Sequence, residues 1–342
     1  MPEGPFKLVC AFLLGIALTL SFAPFEIFPL AIIAPLAFFY LIAQTKPKEA
    51  FLFGYSLGLG FFGSGVYWVY ISIYYFANAP LAAAILLTIG FIALLSLFPA
   101  ITTYLVQRYF PENSPQKWIF AFPGIWVLIE WLRSLLFTGF PWLLIGYSQT
   151  HSPLKGYAPI LSVYGVSLAV LMSAGLLFTA YLAYRNRHFS TAYRYFFAMI
   201  SIWILGGLLS LIPWTTPSNE PISVSLVQGN IPQTLKWSSE HVNLSLNRYH
   251  ELTMPLLKPN HVVIWPEAAV PLPLQAASLY INDLQKEAAK HHANIILGIP
   301  IESRTKNGYF NAIITLGTNK QVYLKRRLVP FGEYTPLPRL SA

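Results

Sequence analysis

Long apolar runs broken by prolines and short basic loops fill residues 1–213, and shorter alternating or amphipathic segments fill 214–342. A helix needs about 20 apolar residues to cross hydrocarbon. Leu8–Tyr40 exceeds that length, and Pro24 and Pro29 interrupt it, so it predicts two helices, over about 8–23 and 27–43. Further spans are predicted near 51–76, 80–106, 118–138, 159–184 and 195–212, giving a bundle of seven transmembrane helices over 1–213. The start, Lys7 followed by an apolar core and Ser21-Phe22-Ala23, also has the form of a signal peptide. Six more apolar runs follow with no soluble stretch between them, which favours an uncleaved anchor.

The period then changes. Pro221–Val227 alternates like a strand, and Ser238–Leu257 predicts a helix capped by Ser238 with Glu240 in its first turn. His261–Trp265 predicts a buried strand that ends in a stiff Trp265-Pro266 corner before Glu267. Leu274–His291 predicts a helix with a polar face, and Asn294–Pro300 another buried strand. Asn307-Gly308 is a hairpin signal leading into strands over 309–317 and 321–326. Strand–helix–strand–helix–strand followed by paired strands is a layered α/β or α+β pattern.

Composition places the first part in a membrane: hydrophobic residues make up 55% of the chain and charged residues 10%. The net charge of +9 does not point to nucleic acid, because much of the surplus lies in short loops. With alternating spans, Lys7, Lys46, Lys48, Arg108, Lys117, Arg185, Arg187 and Arg194 fall on one side, and only Arg133 and Lys155 on the other. The positive side is cytoplasmic, so residues 214–342 are expected on the outer face. One cysteine, Cys10, excludes an intrachain disulfide, and one aspartate, Asp283, excludes aspartate pairs. No metal spacing, P-loop or dinucleotide fingerprint occurs, and no cofactor is expected.

Several positions carry candidate chemistry. Glycines 54, 58, 60, 63 and 65 permit close helix packing, the favoured reading, or a lipid groove. The aromatics Tyr67, Trp68, Tyr70, Tyr74 and Tyr75 read as an interfacial belt. Glu130 and Arg133 share a helix face inside a span. Arg133 either pairs with Glu130 or snorkels to a lipid phosphate. Glu267 and Lys325 each stand where a strand gives way to a loop, the arrangement that holds a base and a charge stabiliser in acyl-transfer sites. They are expected at neighbouring strand ends of one sheet with converging side chains. Glu267 and Glu333 also read as solvated loop acids, and Lys325–Arg327 as an edge-strand guard or an anionic-lipid contact.

Taken in order, Glu130–Ser134, Thr138–Trp142, Gln228–Asn230, Trp265–Glu267, Tyr309–Ala312 and Lys325–Tyr334 resemble the bacterial apolipoprotein N-acyltransferases, membrane-embedded members of the nitrilase superfamily. The resemblance implies a polytopic helical bundle followed by an α/β nitrilase-like domain, an αββα sandwich. It implies a Glu-Lys-Cys triad with Glu267 as general base, Lys325 as catalytic lysine and Glu333 as a supporting acid, and Trp237 on a loop over the site. The partners it implies are a phospholipid acyl donor, diacylglyceryl-modified lipoproteins and the bacterial inner membrane, with the site on the periplasmic face. The family's nucleophilic cysteine and last span lie beyond Glu333, whereas this sequence ends at Ala342. The expectation is therefore a domain incomplete at its C-terminus. It is an acyltransferase by descent, an inactive membrane protein that still binds lipid or lipoprotein, or an unrelated transporter-like bundle with an appended domain.

Overall fold

The computed structural model describes residues 4–76, 79–110, 114–136, 139–217, 220–303 and 308–329. The chain divides into two units, Met1–Thr216 and Pro217–Ala342.

The first unit is helical: α1 Gly4–Thr19, α2 Leu30–Ile42, α3 Pro47–Val66, α4 Val69–Phe76, α5 Leu81–Tyr109, α6 Phe122–Arg133, α7 Ala158–Arg185 and α8 Phe189–Ser210. The apolar runs expected as seven spans form helices of unequal length. Among the described residues three helices are long and apolar enough to cross a membrane, those ending at Tyr109, Arg185 and Ser210. A fourth span arises only if α3 and α4, bent by 50° at their junction, count as one. α1 and α2 have 16 and 13 residues. At about 1.5 Å per residue they are shorter than the roughly 30 Å hydrocarbon core. The run over 118–138 also breaks up: a π-helical turn, Lys117–Ala121, leads into α6, which ends at Arg133.

Small residues set how closely these helices pack. A Cβ on Gly15 would lie 2.1 Å from the Leu57 carbonyl oxygen, and one on Gly60 2.0 Å from that of Phe12. The backbones of α1 and α3 therefore touch. On the next face of α3, a Cβ on Gly54 would meet Thr103 Oγ1 at 2.3 Å. Packing accounts for Gly54, Gly58, Gly60 and Gly65, whereas a Cβ on Gly63 would meet nothing within 4 Å. Lys117, expected among the loop charges, is buried. Its ammonium donates to Gln107 Oε1, Gln107 donates to the Ile42 carbonyl, and the Trp118 ring centroid lies 5.0 Å from the ammonium.

The second unit holds one five-stranded sheet among the described residues, in the order β1 Ser223–Leu226, β2 His261–Ile264, β3 Asn294–Glu302, β4 Tyr309–Leu316 and β5 Gln321–Leu324. β1, β2 and β3 run parallel, and β3–β4 and β4–β5 pair antiparallel. α9 Gln233–Lys236 and α10 Val242–Thr253 connect β1 to β2, and α11 Ser278–Lys290 connects β2 to β3. The predicted Ser238 cap does not form. A 3-10 turn over Ser239–His241 precedes α10, and Ser238 makes no capping bond.

Period two divides the sheet into two faces. Val263, Ile295, Leu297, Ile299, Ile314 and Leu316 are buried in one core with Tyr249, Ile281 and Leu284 of α10 and α11. Each such side chain contributes roughly 1.5–3 kcal/mol. The opposite face carries Val224, Leu226, Ile264, Gly298, Ile313 and Tyr323 by register. It remains open among the described residues, with Leu226 78% exposed.

Candidate active site

The site forms on this open face, where a loop crosses it. Trp265 closes β2 firmly: its amide donates to the Ile296 carbonyl at 2.8 Å, and its indole N–H donates to Thr253 Oγ1 at 2.9 Å. Its ring stacks on Tyr249 with centroids 4.9 Å apart. Pro266 follows, which has no N–H to continue the ladder. Ala268 takes a left-handed φ of 48°, and Val270 rejoins β3 by donating to the Gly298 carbonyl at 3.3 Å.

Between these anchors the chain rides over Gly298. A Cβ at that position would fall 2.5 Å from the Ala268 nitrogen, 2.8 Å from Glu267 Cα and 2.9 Å from the Pro266 oxygen. All three are backbone atoms, so no rotamer change relieves the clash. Gly298→Ala should therefore destabilise this unit by about 1–3 kcal/mol, the usual cost of overpacking. Denaturant unfolding of the purified protein measures this, and a midpoint equal to wild type would show that the crossover is not tight.

The crossover delivers the Glu267 side chain to β4 and β5. Its Oε1 accepts from the Lys325 ammonium at 3.0 Å and from the Asn311 side-chain amide. Asn311 and Lys325 are cross-strand neighbours, since the Lys325 amide donates to the Asn311 carbonyl at 2.8 Å just past the paired residues Ala312 and Leu324. Glu267 and Lys325 thus converge. They are not at neighbouring strand ends as expected, because β3 and β4 lie between β2 and β5. The Glu267 side chain is 63% exposed and that of Lys325 30%. The pair is open to a substrate on the carboxylate side.

Lys236, at the end of α9, donates to the Glu267 main-chain carbonyl at 3.2 Å. Its partial burial lowers the ammonium pKa below the ordinary lysine value, while the nearby Glu267 charge opposes that shift. Trp237 follows directly. It is 57% exposed, with the Lys236 ammonium 5.9 Å from its ring centroid. Glu333 lies outside the described residues.

Chemically, a carboxylate held between an ammonium and an amide can accept a proton, and the ammonium can stabilise a developing oxyanion.

Arg133 belongs to the first unit. It is buried, and its Nη1 donates to the carbonyls of Phe140 at 3.0 Å and Trp142 at 2.6 Å, with its guanidinium 5.2 Å from the Phe62 ring centroid. Glu130, one turn earlier, accepts from the Ile145 amide at 2.9 Å and from the Trp126 indole at 3.1 Å. Each charge thus grips the loop after α6. Among the described residues Arg133 forms no direct salt bridge with Glu130, although the two charges interact electrostatically, and its guanidinium donates to main-chain carbonyls.

Residues 14–176 match the model of the apolipoprotein N-acyltransferase N-terminal domain. A protein of Coxiella burnetii named apolipoprotein N-acyltransferase is 40% identical over 326 residues, which cover 95% of this chain and 66% of that protein. Proteins with the same name from Nitrosomonas europaea and Methylococcus capsulatus are 40% and 38% identical, over 98% and 94% of this chain. The chain belongs to the apolipoprotein N-acyltransferase family. It spans 66%, 66% and 63% of the length of these three family members.

Two site residues of this family member carry little or no mark in the sequence. Asn311 is a polar residue in a strand whose following residues, Ala312–Ile314, are apolar, and it sits on the face that alternation assigns to Lys325. That alternation is one signal, and the other is its place inside Tyr309–Ala312, a stretch that carries the family resemblance without a role assigned to Asn311. Lys236 has none, because its partner is a carbonyl oxygen 31 residues away.

Proposed function

We propose that this chain provides the membrane unit and the base–lysine pair of a lipoprotein N-acylating enzyme. In this reading Glu267 is the general base, taking the proton of a cysteine thiol, Lys325 stabilises the oxyanion as a phospholipid acyl group passes to that thiol, and the lysophospholipid leaves as an alcohol with the proton returned by Glu267. The resulting thioester then yields its acyl chain to the α-amine of a diacylglyceryl-modified lipoprotein cysteine. Cys10 is the one thiol among the 342 residues and lies in α1 of the first unit, so the reading takes its nucleophile from outside them. The sheet described above is one layer of a nitrilase-like sandwich, whose second layer would cover the open apolar face. Glu333 serves as a supporting acid, and Trp237 stands on a loop over the site. The second unit faces the periplasm and the bundle sits in the inner membrane; the loop charges other than the buried Lys117 support that orientation.

The observation that carries the reading is the 3.0 Å contact between Glu267 and Lys325, residues 58 positions apart. The test joins this chain in frame to the unmatched third of the Coxiella burnetii relative. Transfer from a phospholipid to a diacylglyceryl peptide is then assayed in proteoliposomes. The fusion should transfer and the 342-residue polypeptide should not. Robust transfer by the unextended polypeptide, or none by a folded fusion, refutes the reading.

A further inference from the structure

We propose that Lys236 is a positioning residue for Glu267: it ties the turn bearing Trp237 to the crossover bearing the carboxylate, so that indole and carboxylate are set as one piece. The inference rests on the acyl-transfer reading for its kinetic consequence, not for its structural one.

The crossover is held sparsely. Trp265 and Val270 bond β3 at its two ends, and Pro266 offers no donor between them. Among the described residues, Lys236 is the donor to the Glu267 carbonyl. Ala268 next to it sits in the left-handed region, which a residue with a Cβ occupies only when its surroundings hold it there. The Lys236 bond thus steadies the peptide that carries Glu267 toward β4 and β5. Without it the carboxylate would still reach for Lys325 and Asn311, but from a backbone freer to swing.

The lysine is suited to this. Its ammonium is partly withdrawn from water, so the carbonyl replaces hydration it has lost. Its charge lies near the adjoining indole, which limits where the stem can point. Neighbours in sequence, Lys236 and Trp237 must move together. A lysine bonded to the Glu267 carbonyl therefore fixes the approximate placement of the ring relative to the carboxylate. The contact leaves the carboxylate oxygens to Lys325 and Asn311, so it directs the base without occupying it.

The first arm of the test uses the full 342-residue chain in an uncharged detergent and follows amide hydrogen exchange by mass spectrometry. Lys236→Met should speed exchange at the Val270 amide by about tenfold, while the β3 amides of Ile295 and Ile299 stay protected. Lys236→Arg should restore the wild-type rate. If Met disturbs β3, Lys236→Gln is read in the same way. Unchanged exchange at Val270 overturns the proposal. The second arm uses the extended enzyme. Lys236→Met should lower kcat about tenfold with KM unchanged, since a misplaced base costs rate rather than binding, and Lys236→Arg should recover most of it. A raised KM with unchanged kcat overturns the proposal and makes Lys236 a donor-lipid contact. If the extended wild type transfers no acyl chain, the acyl-transfer reading fails, and the exchange arm still decides the tie.

Discussion

Glu267→Gln in the extended chain should lower acyl transfer by at least about a hundredfold, the lower end of what general-base catalysis contributes. Gln keeps the shape and can still meet Asn311 and Lys325, but it cannot take a proton from a thiol at neutral pH. The fold should be indifferent to the change. The Glu267 side chain is 63% exposed, so its ion pair with Lys325 is of the solvent-screened kind, worth about 0–1 kcal/mol. Loss of activity with an unshifted unfolding midpoint is therefore the expected signature. A variant that keeps more than about a tenth of wild-type transfer would remove Glu267 from the role of base.

Lys325→Met should cost a similar factor, about a hundredfold to a thousandfold, for a different reason. Met retains the apolar stem but removes the charge aimed at the oxyanion, and losing one such donor has this typical effect. It also takes from the Glu267 carboxylate its charged partner and leaves it the Asn311 amide. The two substitutions touch one hydrogen-bonded unit, so their effects should not add. The double variant should fall well short of the product of the single losses. Full additivity, measured as kcat/KM in the same proteoliposome assay, would mean that the pair does not act as a unit.

Much of the second unit is legible in the sequence because period two is a strong local signal. The strand predicted over Asn294–Pro300 is β3, two residues short at its C-terminal end, and the pair predicted over 309–317 and 321–326 is β4 and β5. The same alternation puts Lys325 on the face of Asn311. The route of the chain past Glu267 is not legible. It depends on Gly298, a distant residue whose missing side chain leaves room for the turn. Membrane helix ends escape the sequence for a related reason. Hydropathy records how apolar a run is, but not where α3 bends into α4 or where α6 stops at Arg133. Arg133 itself shows as a charge in an apolar helix, for which the sequence suggests an anion as partner. The partners found are carbonyls, which every residue has and no pattern marks.

The β4–β5 hairpin closes through four residues, Gly317–Lys320, with Gly317 at a φ of 118° and Thr315 Oγ1 accepting from the Gln321 amide at 2.8 Å. This loop works as a ruler. Its length decides which residue after β5 stands opposite Asn311, and neighbouring residues point to opposite faces. A one-codon deletion there would bring Arg326 into register in place of Lys325, and a one-codon insertion would bring Leu324. The coding segment for this turn should therefore tolerate changes of letter far better than changes of length, even though its work is done at a distance from Glu267.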